Sequence, residues 1–236
     1  LEQKYHIHWI NLHDKKPTAE ELNEYDFLIV KSCWDWIVDR YIRGLEGLKT
    51  KRGIAISCSK PPHSEKAAWF YDVMWYENDL YKEYLKNYPN KIKAFGVNTD
   101  VFKPADVTKD IDVLTIGAFA PYKRLHLLND LEGKRKIIIG DANTQYSEEI
   151  KKLLNPDIEI IDYVSQNELA IYINRSKMVF VPFEEKGGGE RCVLEAMACQ
   201  TPIRIMDDNK ELQYLARQRV LSHYDYADAL EKGLKL

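Results

Sequence analysis

Three consecutive glycines, Gly187, Gly188 and Gly189, stand between an apolar run, Met178 to Pro182, and a segment of helical character, Arg191 to Cys199. A strand, a glycine loop and a helix start in that order can hold an anion. Glycine lets the backbone come close to a ligand and take positive φ, and the first turn of a helix presents unpaired N–H groups at the positive end of its dipole. A phosphate suits such a junction, although a plain flexible connection has the same composition. The donors put forward are the amides of Gly188, Gly189, Glu190, Arg191 and Cys192. One turn further on, Glu195 is a lone carboxylate among Val193, Leu194, Ala196, Met197 and Ala198. A carboxylate on a buried helix needs a partner.

A second group of candidates precedes it. Gly117 ends an apolar run, and Lys123 and Arg124 follow just before the helix-like HLLNDL. Cations beside a glycine turn at the carboxyl end of a strand suit a pyrophosphate, because open α/β sheets bind ligands at that edge. The alternative is a solvated pair of cations on a first helical turn. Tyr163, at the end of another apolar run, can stack on a base or pack in a core. His63 follows Pro61 and Pro62 in a loop, where an imidazole can touch a substrate or simply be solvated. Trp34, Asp35, Trp36, Trp69 and Tyr71 are either a pocket or core. Asp110 and Asp112 have the spacing of a metal-binding acid pair, but they precede a strand at the start of a domain, where solvated carboxylates are expected.

The elements that must position these groups alternate along the chain. Tyr5 to Leu12, Phe27 to Lys31 and Gly53 to Ser57 have the patterns of strands, with a helical run from Trp34 to Leu48 between the last two. Asp72 to Tyr76 and Ile92 to Ala94 are further short strands around LYKEYLKNYP. Asp112 to Gly117, Lys136 to Gly140, Ile158 to Tyr163, Met178 to Pro182 and Ile203 to Met206 continue the series, and Tyr146 to Leu154 is expected to be helical. Ser165 with Glu168 three residues on has capping-box spacing for another helix. Glu211 to Leu215 and Tyr226 to Leu236 are amphipathic. Strands alternating with helices predict an α/β architecture with parallel sheets.

Several stretches resemble one family. GGGERCVLEAMACQTPI is similar to the nucleotide-binding segment of retaining GT-B glycosyltransferases of the family 4 type (glycosyl transferases group 1), whose pattern runs roughly E-x-F-G-x-x-x-x-E-A-M-A-x-G-x-P. FGVNTDVFKP, residues 95–104, resembles that family's N-G-V-D-x-x-x-F-x-P interdomain signature, and VSQNELAIYINRSKMVFVPF resembles its next helix and strand. Gly117 to Lys123 resembles G-R-L-x-x-x-K. The resemblance implies two Rossmann-like doubly wound domains facing a cleft. The first would be short, 1–103, on the acceptor side; the second, 104–236, would bind the nucleotide sugar, and the last helix can cross back.

It also implies roles. Lys123 falls where the diphosphate-binding lysine stands, Glu195 where the ribose-binding acid stands, and Tyr163 and Val164 in the loop that meets the nucleobase. Ala118 replaces the family arginine, so Arg124 or Arg191 would supply the second cation. Gly187 occupies the ungapped position of the first glutamate, so Glu184, Glu185 or Glu190 would take over its contact with the donor sugar. The activity implied is metal-independent, retaining transfer of a hexose from a nucleoside-diphosphate sugar (UDP- or GDP-sugar) to a glycan, lipid or other acceptor, with no cofactor. A nucleotide-sugar-binding module without transferase activity and a GT-B-like sugar-nucleotide epimerase are the alternatives.

Composition narrows the partners. With 34 basic and 37 acidic residues, a net charge of −3, no strongly basic nucleic-acid footprint is present, which leaves only a local patch open. Cys33, Cys58, Cys192 and Cys199 lack CxxC spacing, which suits free thiols in a reducing, cytoplasmic setting. No apolar stretch reaches the length of a membrane span, leaving peripheral contact with a lipid-linked acceptor open. No signal peptide is visible, but the chain opens with Leu1, so residues upstream can be missing.

Overall fold

The computed structural model describes residues 4–31, 37–56, 69–77, 85–185 and 191–236. The chain packs as two units, one of Leu1–Gly96 with His223–Leu236, the other of Val97–Ser222.

In the first unit, β1 (Phe27–Lys31), β2 (Lys51–Ile56), β3 (Val73–Tyr76) and β4 (Lys91–Lys93) form a parallel sheet in chain order. All four residues of β3 are buried, which is why its sequence, VMWY, is apolar throughout rather than alternating. On one face Val30, Ile54, Ile56 and Met74 pack with Leu22 from α1 (Ala19–Leu22) and Ile42 from α2 (Ile37–Arg43). A capping box from Thr18 and Glu21 starts α1. Tyr71 belongs to this core, and its hydroxyl donates to the buried Asp39, which Arg43 also grips with two donors. Burial is the largest influence driving the Tyr71 pKa far above its ordinary value.

The other face is built around Trp75. Helix α7 (His223–Leu234, the last of the chain) lays Leu230 against Val73 and Trp75, and the indole Nε1 donates to Ala229 O at 2.9 Å. The ring lies so close to Gly233 that a Cβ there would fall 2.4 Å from its Cζ2. Gly233→Ala is therefore expected to push α7 off the sheet, costing about 1–3 kcal/mol as other over-packed cores do. Urea unfolding measures it, and an unchanged midpoint would contradict this docking.

The strand expected over Tyr5 to Leu12 is not formed. Those residues are irregular coil and turn, with Trp9 85% exposed. Alternation makes a strand only where a neighbour completes the ladder; here Lys4 and Tyr5 reach Glu231 instead, and His8 bonds the Tyr25 hydroxyl. The other expected strands form: β1 with the expected bounds, β2 beginning two residues earlier, β4 shifted by one residue, and the rest shortened at their ends. Trp34 to Trp36 and the first half of LYKEYLKNYP, residues 80–84, lie outside the described residues.

In the second unit, β5 (Val113–Ile116), β6 (Lys136–Ile139), β7 (Glu159–Ile161), β8 (Val179–Val181) and β9 (Ile203–Ile205) form a parallel sheet in the order β7-β6-β5-β8-β9. Its helices are α3 (Ser147–Lys152), α4 (Gln166–Arg175), α5 (Arg191–Ala198) and α6 (Lys210–Leu215). The Ser165 and Glu168 capping box opens α4. HLLNDL lies in a 3-10 turn, Leu125–Asp130, whose end carbonyls at Leu128, Asn129 and Leu131 all accept from the buried Lys136 ammonium. Strand order reverses at β5: the next strand, β6, lies on one side of it and β8 on the other. That is the switch point where open α/β sheets bind ligands, beyond the carboxyl ends of the strands.

Asp110 is exposed and Asp112 partly so, and both carboxylates are ion-paired. Asp110 is paired with Arg175 and Arg135. Asp112 is paired with Lys177 at 2.7 Å and accepts from the amides of Lys134 and Arg135. These partners hold both carboxyls well below the usual range, at about 2. Among the described residues no group of three or more His, Cys, Asp or Glu is placed to hold a metal ion, and no helix is long and apolar enough to cross a membrane.

Candidate active site at the carboxyl edge of the second sheet

Of the residues singled out in the sequence, Gly117, Lys123 and Arg124 lie together where β5, β8 and β9 end. Gly117 follows β5, and its amide donates to Ile139 O at 2.9 Å. A Cβ on Gly117 would sit 3.0 Å from Phe183 Cζ and 3.5 Å from Lys123 Cδ, so the missing side chain is the space those two groups use. On the other side, a Cβ on Gly140 would fall 2.2 Å from Gly117 O, and only glycine permits the ends of β5 and β6 to approach so closely.

Lys123 ends a short 3-10 turn, Pro121–Lys123, and is 5% exposed, so it is not the solvated cation that its sequence neighbours suggest. Its Nζ lies 3.8 Å from the centre of the Phe183 ring and 5.2 Å from that of Tyr122. A cation over an aromatic face is attracted by the ring quadrupole, most strongly when water is excluded.

Arg124 takes a different part from the one expected. Its backbone is left-handed, φ 44 and ψ 39, an uncommon state for a side chain with a Cβ. Nε donates to Pro182 O at 2.6 Å and Nη2 to Phe183 O at 3.0 Å, while Nη1 and Nη2 make a fork to Asp208 at 2.6 and 2.9 Å. The guanidinium is thus engaged with its own protein, and Arg124 lowers the Asp208 pKa.

Asn209 completes the arrangement. This buried residue donates from Nδ2 to Phe183 O at 3.0 Å, and its Oδ1 accepts from Leu212 N at the start of α6. Glu184 N donates to Tyr122 O, and the exposed Glu185 accepts from Lys210 N at 3.2 Å. Phe183, Asp208 and Asn209 were missed by sequence reasoning. Only Asn209 had a local signal, an N-cap residue before KELQYL.

Glu195 is 6% exposed on α5 and has the partner its setting demands: Arg191 Nε at 3.5 Å, one helical turn back. Burial raises the carboxyl pKa and Arg191 opposes the rise. Cys192 and Cys199 are buried, and burial pushes the Cys199 thiol up to about 11. Tyr163 is 85% exposed, which removes the core-packing reading, and its amide donates to Asp162; Val164 is half-buried. The positions expected to act at His63, Gly188, Gly189 and Glu190 lie outside the described residues. Trp69 is exposed beside Tyr88. A groove of about 580 Å³ on the same unit, lined by Leu127, Leu131, Phe180 and Met206 among others, contains none of the site residues.

This geometry stands on the stretch that matches a known family, for residues 97–220 fit the family model of glycosyl transferases group 1. The chain belongs to glycosyl transferases group 1. No curated protein is significantly similar in sequence. Among solved structures, the group 1 chain resembles Anabaena HepE in complex with UDP-glucose, with a TM-score of 0.64 and 11% identity over 83% of this chain and 63% of that one. It resembles the sucrose-phosphate synthase of Thermosynechococcus elongatus with a TM-score of 0.60 and 14% identity, covering 90% of this chain and 65% of that one. A glycosyltransferase from Rickettsia africae gives 0.58 and 15%, covering 92% and 72%. At such identities the likeness establishes the fold, the Rossmann-like α/β architecture of GT-B glycosyltransferases.

Proposed function

We propose that this group 1 chain transfers a hexosyl group from a nucleoside-diphosphate sugar, without a metal and with retention, to a carbohydrate or lipid-linked acceptor. The observation that carries this reading is the buried Lys123 ammonium at the carboxyl edge of the switch-point strand. Moving a sugar off a nucleoside diphosphate leaves a diphosphate whose charge must be stabilised, and a preorganised cation in a water-poor site does this at about 3 kcal/mol for one well-placed group. Arg191 is the second cation and the amides of Arg191 and Cys192 open α5 toward the phosphates, with Gly188, Gly189 and Glu190 supplying the preceding loop. Glu195 accepts from the ribose hydroxyls, Tyr163 and Val164 meet the base, and Glu185 is the acid directed at the donor sugar. UDP is the favoured nucleotide, since HepE was solved with UDP-glucose and with UDP. The first unit, with His63, takes the acceptor, and the buried thiols suit a cytoplasmic setting.

The test is incubation with labelled UDP- and GDP-sugars and a panel of acceptors. Nucleotide release that depends on acceptor is expected. Tight binding without release or hydrolysis would mean a binding module, a reading favoured by Ala118 and Gly187 at two family positions. An isomerised sugar nucleotide would mean an epimerase.

A further inference from the structure

We propose that Phe183, fixed by the Arg124–Asp208 pair, is a positioning residue that seats the Lys123 ammonium for the diphosphate. The inference rests on the donor-site reading above and adds the device that orders its cation. A lysine ammonium rides on a flexible four-carbon stem, and rotamer freedom must be given up to hold it in one place. Here the 3.8 Å stack on Phe183 supplies an attractive surface before any phosphate arrives.

The seat is itself held. Phe183 is 1% exposed, and its carbonyl accepts from both Arg124 Nη2 and Asn209 Nδ2. The preceding carbonyl, Pro182 O, accepts from Arg124 Nε, and the following amide, Glu184 N, donates to Tyr122 O beside the lysine. One guanidinium therefore ties the segments after β5, β8 and β9 into a single edge. The left-handed backbone at Arg124 persists because this set of bonds over-determines it.

A double-mutant cycle read by calorimetric titration of UDP tests the proposal. Phe183→Leu is expected to weaken UDP binding about tenfold in the wild-type background, the range of a desolvated cation–aromatic contact. In a Lys123→Met background the same change is expected to leave the remaining affinity unaltered, because Phe183 acts through the lysine. Asp208→Asn, a substitution on an exposed side chain, should weaken UDP in the same lysine-dependent way and covers the case of a Phe183 variant that does not fold. Equal losses in both backgrounds, or a lowered melting temperature with UDP affinity unchanged, would show ordinary packing and overturn the inference alone. A wild-type protein that binds neither UDP nor GDP overturns the donor-site reading and this inference with it.

Discussion

Lys123→Ala lowers turnover about a hundredfold and weakens UDP binding in the same variant, the loss expected when one preorganised cation of about 3 kcal/mol is taken from a leaving diphosphate. The two effects arise together because the ammonium meets negative charge both in the bound donor and, more strongly, in the transition state. Free uridine, which carries no phosphate, should be bound as before. The substitution also removes the stem that fills the space above Gly117, so circular dichroism and the melting temperature must accompany the kinetics. Lys123→Met keeps that stem volume and is expected to show the same kinetic loss with less change in stability. Unaltered turnover and UDP affinity in both variants would remove Lys123 from the site.

Glu195→Gln is expected to weaken UDP about tenfold while leaving inorganic pyrophosphate affinity unchanged, since a hydrogen bond from a ribose hydroxyl to a charged acceptor contributes roughly 1.5–3 kcal/mol. The same variant has an opposite effect on the empty protein. Burial raises the carboxyl above its ordinary value of 4.5 in the folded chain, with Arg191 only partly opposing it. Between the ordinary value and the raised one, the folded form binds more protons than the unfolded form. Stability therefore rises as pH falls through that window and is lower above it, where the charge must stay buried. Glutamine carries no such charge, so Glu195→Gln should melt at a higher temperature near neutral pH and show a flatter dependence on acidification. Melting curves from pH 4 to 7 decide it. A variant with the wild-type slope would place the titrating group elsewhere. Loss of UDP and pyrophosphate to the same degree would count against the ribose contact.

How much of this was legible in the chain depended on whether its cause was local. VLTI, KIII and VFV are nearly continuous apolar runs because their strands lie in the middle of a parallel sheet covered on both faces, and composition alone marks them. Glu195 was legible for a related reason, since a lone acid on an apolar helix announces a partner, and Arg191 one turn earlier is that partner. Tyr5 to Leu12 was misread because alternation says nothing about whether a neighbouring strand is there to pair with. Lys123 and Arg124 look alike in PYKRL but end differently: one rests on a ring 60 positions later, the other forks onto an acid 84 positions later. No local pattern encodes such separations. They arise from the β5, β8 and β9 order of the sheet, which brings three strand ends to one edge.

A crystal of this chain soaked with UDP would test the central claim most directly. The expected result is a diphosphate with its oxygens within about 4 Å of Lys123 Nζ, the distance of an ion pair, and the ribose hydroxyls on the Glu195 carboxylate. UDP bound away from the ends of β5 and β8, with Glu195 still closed on Arg191 and Lys123 touching no phosphate, would contradict it.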